Sequence, residues 1–263
     1  MLFNFRLFPL ETIKPWRSGG ESYLHWFGLT DGCYWLRAGN AELFRYGEQY
    51  LSVQVAKHGC EPYVCYNVSR LWEDIVQMLP AILTPIPQAF ADQLTASGLI
   101  TWRERAAHWL EHREDDQSIA LYVQATEWLQ GHHLGTGYLN NAPTIYFWSD
   151  GRRVHIEWDN RDQQKDGVPI WGAEFGTWSL SVQTFLAEVQ SFNAQFIEAM
   201  QGRVELIRAG SALPNLAVDQ DQLIVEQAQR STWLEKSLSK AFQQPAYDWA
   251  ETLEAIALIE ADF

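Results

Sequence analysis

From Val182 onward the apolar residues Phe185, Leu186, Val189, Phe192, Phe196, Ile197, Met200 and Val204 recur at steps of three and four. That is the helical period, and it predicts a long amphipathic helix over 182–204. So wide an apolar stripe must lie against another apolar layer. The sequence offers strands for it. Thr144-Ile145-Tyr146-Phe147-Trp148 and Val154-His155-Ile156-Glu157-Trp158 flank Ser149-Asp150-Gly151, a strong hairpin signal. Asp31-Gly32 between the aromatic runs at 22–27 and 34–37 predicts a second hairpin. With alternation at 2–7 and a turn at Ala38-Gly39-Asn40, the first 66 residues read as an antiparallel meander. A further strand is expected near 168–174.

Between these segments the period changes. Leu71, Trp72, Ile75, Val76 and Leu79 form a helical stripe, with Ser69 as its cap and Pro80 as its stop. Helices are expected near 88–95, 102–113 and 117–130, the last capped by Asp115, Asp116 or Ser118 and ended by Gly131. Ser211-Ala212-Leu213-Pro214-Asn215 reads as a linker, followed by two helices split at Gln244-Pro245. The expected class is α+β: antiparallel hairpin-rich sheet segments, a helical insert, a long amphipathic helix and C-terminal helices. The expected division is an α+β domain over 1–210, with 211–263 as an acidic helical extension packed on it.

Charge narrows the function. The chain carries 19 Lys+Arg against 33 Asp+Glu, a formal net charge of -14. Phosphate backbones need a basic face, so nucleic acid is an unsuitable partner and a basic protein a suitable one. No apolar run approaches the ~18–20 residues of a membrane span, and the apolar start lacks the marks of a signal peptide. A cytoplasmic protein without membrane contact is expected. The three cysteines, Cys33, Cys60 and Cys65, form no disulfide framework. Cys60 and Cys65 are separated by four residues, unlike a two-residue zinc knuckle, and read as buried apolar residues.

Catalytic signatures are missing: no glycine-rich phosphate loop, no nucleophile elbow, no zinc-protease helix. No catalytic residue and no cofactor are assigned. Glu104, His108 and His112 share a helix face and are weak candidates for a metal, but a solvated face is the favoured reading. His132-His133 follow a helix C-terminus and suit capping. The densest polar segment carries Asp159, Asp162 and Asp166, with Glu174 beyond it; Arg161 at the third position departs from a calcium loop. These four, with Asp248, Glu251 and Glu254, are the candidate partner contacts. Two other readings stand beside them. One is an enzyme built on Asp159, Asp162 and His155 or on Glu104, His108 and His112. The other is a small-molecule module using the aromatic clusters, where an exposed ring would mark the surface.

The runs Phe8-Pro9-Leu10-Glu11 to Trp16 and Leu24-His25-Trp26-Phe27-Gly28-Leu29-Thr30-Asp31-Gly32 resemble an uncharacterised bacterial domain family. So do Trp158-Asp159-Asn160-Arg161-Asp162, Asp166-Gly167-Val168-Pro169 and Trp171. The resemblance covers about residues 3–208 and leaves the acidic C-terminal helices outside. It implies a compact bacterial cytoplasmic protein. By analogy with acidic proteins of this size, it suggests an immunity protein that neutralises a cognate toxin by covering it.

Overall fold

The computed structural model describes residues 1–18, 21–58, 61–210, 218–243 and 247–263. Cys60, the linker at 211–215 and Gln244-Pro245 lie outside these. The strands are β1 (Phe3–Leu7), β2 (Trp16–Ser18), β3 (Glu21–Tyr23), β4 (Asp31–Ala38), β5 (Ala41–Leu43) and β6 (Val64–Asn67). They continue with β7 (Ile145–Ser149), β8 (Arg153–Asp159), β9 (Gln164–Lys165), β10 (Val168–Pro169) and β11 (Phe175–Ser181). The helices begin with α1 (Glu48–His58), α2 (Val68–Leu83), α3 (Gln88–Ser97), α4 (Leu99–Glu111) and α5 (Asp116–Thr126). The last four are α6 (Val182–Arg208), α7 (Gln220–Arg230), α8 (Trp233–Gln243) and α9 (Trp249–Glu260). The class is α+β, as expected. The residues group into two compact units, each made of three chain segments: 1–77, 164–173 and 186–237, and 78–163, 174–185 and 238–263.

In the first unit β4 is the central strand. β1 pairs with one edge, and β5 and β6 divide the other, all antiparallel. The expected hairpin around Asp31-Gly32 is therefore corrected: these residues begin β4, and β3 pairs with β2 instead. The reason is close backbone approach. A Cβ on Gly32 would lie 2.3 Å from the Arg6 carbonyl oxygen and 2.9 Å from Leu7 Cα. Glycine is here for contact, not for a turn. Gly32→Ala is accordingly expected to cost about 1–3 kcal/mol, read as a lower urea midpoint with unchanged slope. An unshifted midpoint would mean the strands can part freely.

Helix α2 corrects a second expectation, since it runs through Pro80 to Leu83. Pro80 lacks a donor, but its carbonyl still accepts the Thr84 hydroxyl at 2.8 Å. The Ser69 hydroxyl is buried against that of Thr30, 2.9 Å away.

The stripe of α6 is buried as predicted: Phe192, Phe196, Met200 and Val204 are each at most 2% exposed. Phe192 stacks on Phe3 with ring centres 5.4 Å apart and meets the edge of Phe5 at 5.8 Å. Phe196 packs on Trp26 and Trp72 at 5.8 and 5.5 Å. Residues beyond the linker complete this core. Gln227 accepts from the Trp26 indole at 2.7 Å and donates to the Ile197 carbonyl at 3.1 Å. Arg230 pairs with Glu73 and Glu226 and lies over the rings of Trp26 and Trp233. The C-terminal region holds three described helices where two were expected. Its extra break falls at Ser231-Thr232, where the hydroxyls turn back onto the Ala228 and Gln229 carbonyls.

The second unit holds the three-stranded antiparallel sheet β11–β8–β7. Its first two strands are the predicted hairpin. The third is β11; the strand expected near 168–174 is only the two-residue ribbon β9–β10, turned by Asp166 and Gly167 at φ +55° and +77°. Every residue of β7 is buried. Tyr146 and Trp148 pack with Phe90, Trp102, Trp128, Ile256 and Ile259, while Phe147, on the opposite face, meets Phe185 at 6.2 Å. Asp115 caps α5 by accepting from the Ser118 amide at 2.8 Å. Among the described residues, no helix is long and apolar enough to cross a membrane.

Candidate functional site: a cleft beside an edge strand

Alternation sets the site. Register places Arg153, His155, Glu157 and Asp159 of β8 on one face with Phe175, Thr177 and Ser179 of β11. Across β7, that face carries Tyr146 and Trp148. Helices α3 and α4 cover the β7 side, and the uncovered remainder is a cleft of about 680 Å³ walled by residues 94–101, β8 and β11.

Glu157 anchors the wall. Its carboxylate accepts from the Leu99 and Ile100 amides at 2.8 and 2.9 Å, so a side chain of the sheet supplies the N-terminal cap of α4. Gly98 makes this possible. It has φ +87°, and a Cβ there would lie 2.9 Å from Glu157 Oε1. Burial pushes the Glu157 carboxyl above its ordinary pKa, against the pull of the two amides. Sequence reasoning missed this role; a carboxylate within a strand far from any predicted helix start gives no local signal.

His155 stacks on Trp148 at 4.0 Å and 8°, and its Nε2 lies 3.1 Å from Asp150 Oδ2. Burial draws the Asp150 carboxyl upward, but the Arg153 and Arg152 amides and His155 hold it below its ordinary value. Asp159 is held low by hydrogen bonds from Arg161, whose guanidinium also lies 4.9 Å over the Phe175 ring. Phe175 is 65% exposed. Phe242 of α8 is more exposed at 72%, but Phe175 combines exposure with a cleft wall, a cation and neighbouring carboxylates.

The other predicted residues fall as follows. Asp162 is exposed in the turn after β8, and Glu174 is exposed immediately before β11. The Glu174 carbonyl accepts from the Asn160 amide at 2.6 Å. Asp166 belongs to the first unit, at the exposed tip of β9–β10. Asp248 caps α9 by accepting from the Ala250 amide at 3.0 Å, and Glu251 and Glu254 are exposed on that helix. Glu104, His108 and His112 line a separate groove of about 520 Å³, where His108 Nδ1 faces Glu111 at 2.9 Å. Among the described residues, no group of three His, Cys, Asp or Glu is placed to hold a metal ion. Of the enzyme sets considered from sequence, His155 and Asp159 share the cleft and Asp162 is not among its lining residues.

His132 takes the expected capping position, at the end of the turn Glu127–Gly131, but it does so inside the core. It is fully buried between Trp128 and Tyr247, with Nδ1 at 2.8 Å from the Trp128 carbonyl. Burial lowers its pKa to about 4.

The fold and cleft thus define an α+β protein with an aromatic, carboxylate-bearing groove beside a sheet edge. It belongs to DUF5984, a family of unknown function, whose model matches residues 2–255. The match extends past the limit near residue 208 expected from sequence and takes in most of the C-terminal helices. Neither the search of curated proteins nor that of solved structures finds a match.

Proposed function

We propose that the protein is a cytoplasmic bacterial immunity-type inhibitor. It binds a basic toxin domain at the open end of the β8–β11 cleft. The observation that carries this reading is Phe175, an exposed ring under the Arg161 guanidinium that Asp159 holds, with Asp162 and Glu174 exposed beside these residues in sequence. Aromatic anchors with a polar rim are where binding energy concentrates. Among the described residues, β11 is also the last strand on its side of the sheet. The Glu174 carbonyl and the Val182 amide bond toward β8 and its turn. By alternation, the backbone groups of Phe175 and Thr177 point to the outer edge, where an extended partner segment can pair. The polar groups of the cleft support binding over catalysis, because Glu157 is engaged by α4, Asp159 by Arg161 and His155 by Asp150. The cleft's volume also supports a second reading, a small-molecule module.

The test pairs the full-length chain with the product of the neighbouring reading frame. Phe175→Ala is expected to weaken binding at least tenfold, about 1.4 kcal/mol, without loss of fold by circular dichroism. Charge reversal at Asp162 and Glu174, two exposed side chains, should slow association and flatten its salt dependence. Unchanged neutralisation by both folded variants, or the absence of any toxic neighbour, would remove the assignment.

A further inference from the structure

The cysteine pair that matters is not the one adjacent in sequence. Register places Cys33 of β4 opposite Cys65 of β6, with the two Sγ atoms 3.3 Å apart. The pairing type follows from the hydrogen bonds of β4. Phe8 N–H donates to Asp31 and Arg37 N–H to Leu2, so odd-numbered residues from 31 to 37 direct their backbone groups toward β1. Cys33 and Cys65 therefore form a non-hydrogen-bonded pair, the type in which opposing Cα atoms approach to about 4.5 Å. Disulfides span Cα separations of about 4.4–6.8 Å, so this register accepts the bond without moving the strands.

We propose that Cys33 and Cys65 are a redox-active dithiol that low-molecular-weight disulfides oxidise to a cross-strand bond. The two cysteines have distinct parts. Cys65 is exposed and Cys33 buried, so the small disulfide meets Cys65 first. The Cys65 thiolate attacks one sulfur of the reagent, forming a mixed disulfide and expelling one reagent thiolate. Cys33 then attacks Cys65 Sγ and expels the second. The two cysteine protons end on the two released thiols, and the two electrons lost by the cysteines reduce the reagent. Cys33 suits the closing step. In the reduced pair, contact with Cys65 and then with the Arg6 guanidinium, whose Nη2 lies 3.8 Å from Cys33 Sγ, outweighs burial and favours its thiolate. Once Cys65 carries the reagent its S–H is gone, and Arg6 is the group that continues to favour the attacking thiolate. Arg6 is itself fixed by Glu61 at 2.7 Å.

The experiment incubates the reduced full-length chain with oxidised glutathione, then alkylates it and maps peptides by mass spectrometry. Two of the three thiols should be lost, with a Cys33–Cys65 linked peptide, no retained glutathione and a raised Tm that dithiothreitol reverses. Cys33→Ser should instead trap glutathione on Cys65, and Arg6→Gln should slow closure severalfold. Cys60→Ser should leave the product unchanged. A persistent glutathione adduct on Cys65 in the parent chain, or a linked Cys60–Cys65 peptide, would overturn the proposal.

Discussion

Replacing Phe192 by alanine is expected to lower stability by about 3–5 kcal/mol, a large part of what holds a domain together. The ring is 1% exposed and packed against Phe3, Phe5 and Phe196. Its neighbours are fixed on β1 and on the same helix, so the gap has few ways to close. Urea denaturation followed by tryptophan fluorescence would give the change in midpoint. A loss under about 1 kcal/mol would show that the surrounding rings can collapse into the space.

Acid should act through His132. Its folded pKa of about 4 lies below the ordinary value of 6.5, so between those values the unfolded chain binds more protons than the folded one. Stability from this group is complete above pH 6.5 and is lost as pH falls toward 4. Between neutrality and about pH 4.5 the loss is on the order of 2–3 kcal/mol. His133 contributes in the same direction, through burial and then Arg103. His132→Gln removes one titration and leaves the others, so the difference between the two proteins isolates the effect. Equal stability losses on acidification would show that the imidazole is protonated in the folded state.

The elements that could be read from sequence are those whose signal is local. The β7–β8 hairpin has its turn residues between two strands of matching length, and the α6 stripe repeats long enough to identify a face. Asp115 likewise sits directly before the helix that it caps. What could not be read depends on contact between distant residues. Asp31-Gly32 has the composition of a turn, but Gly32 is required by the approach of Arg6 across the sheet. Cys65 pairs with Cys33 because a register 32 residues apart puts them together, whereas spacing alone directed attention to Cys60. The site divides in the same way. Asp159 was conspicuous in a polar loop, while Glu157 and Phe175 gained their roles only when α4 and β11 were laid beside β8.

The segmental make-up of the two units has a consequence for synthesis. A chain emerging from the ribosome presents its amino-terminal strands and aromatic side chains first. The groups that answer the Trp26 indole and the Glu73 carboxylate, Gln227 and Arg230, are made some 200 and 157 residues later. Ile256 and Ile259 reach the other unit's cluster later still. Neither unit can close before these residues have been made. Apolar strands near Trp26 and Glu73 therefore stay without these partners until 201 and 157 further residues have followed them, and a chain cut before Gln227 leaves both cores unfinished.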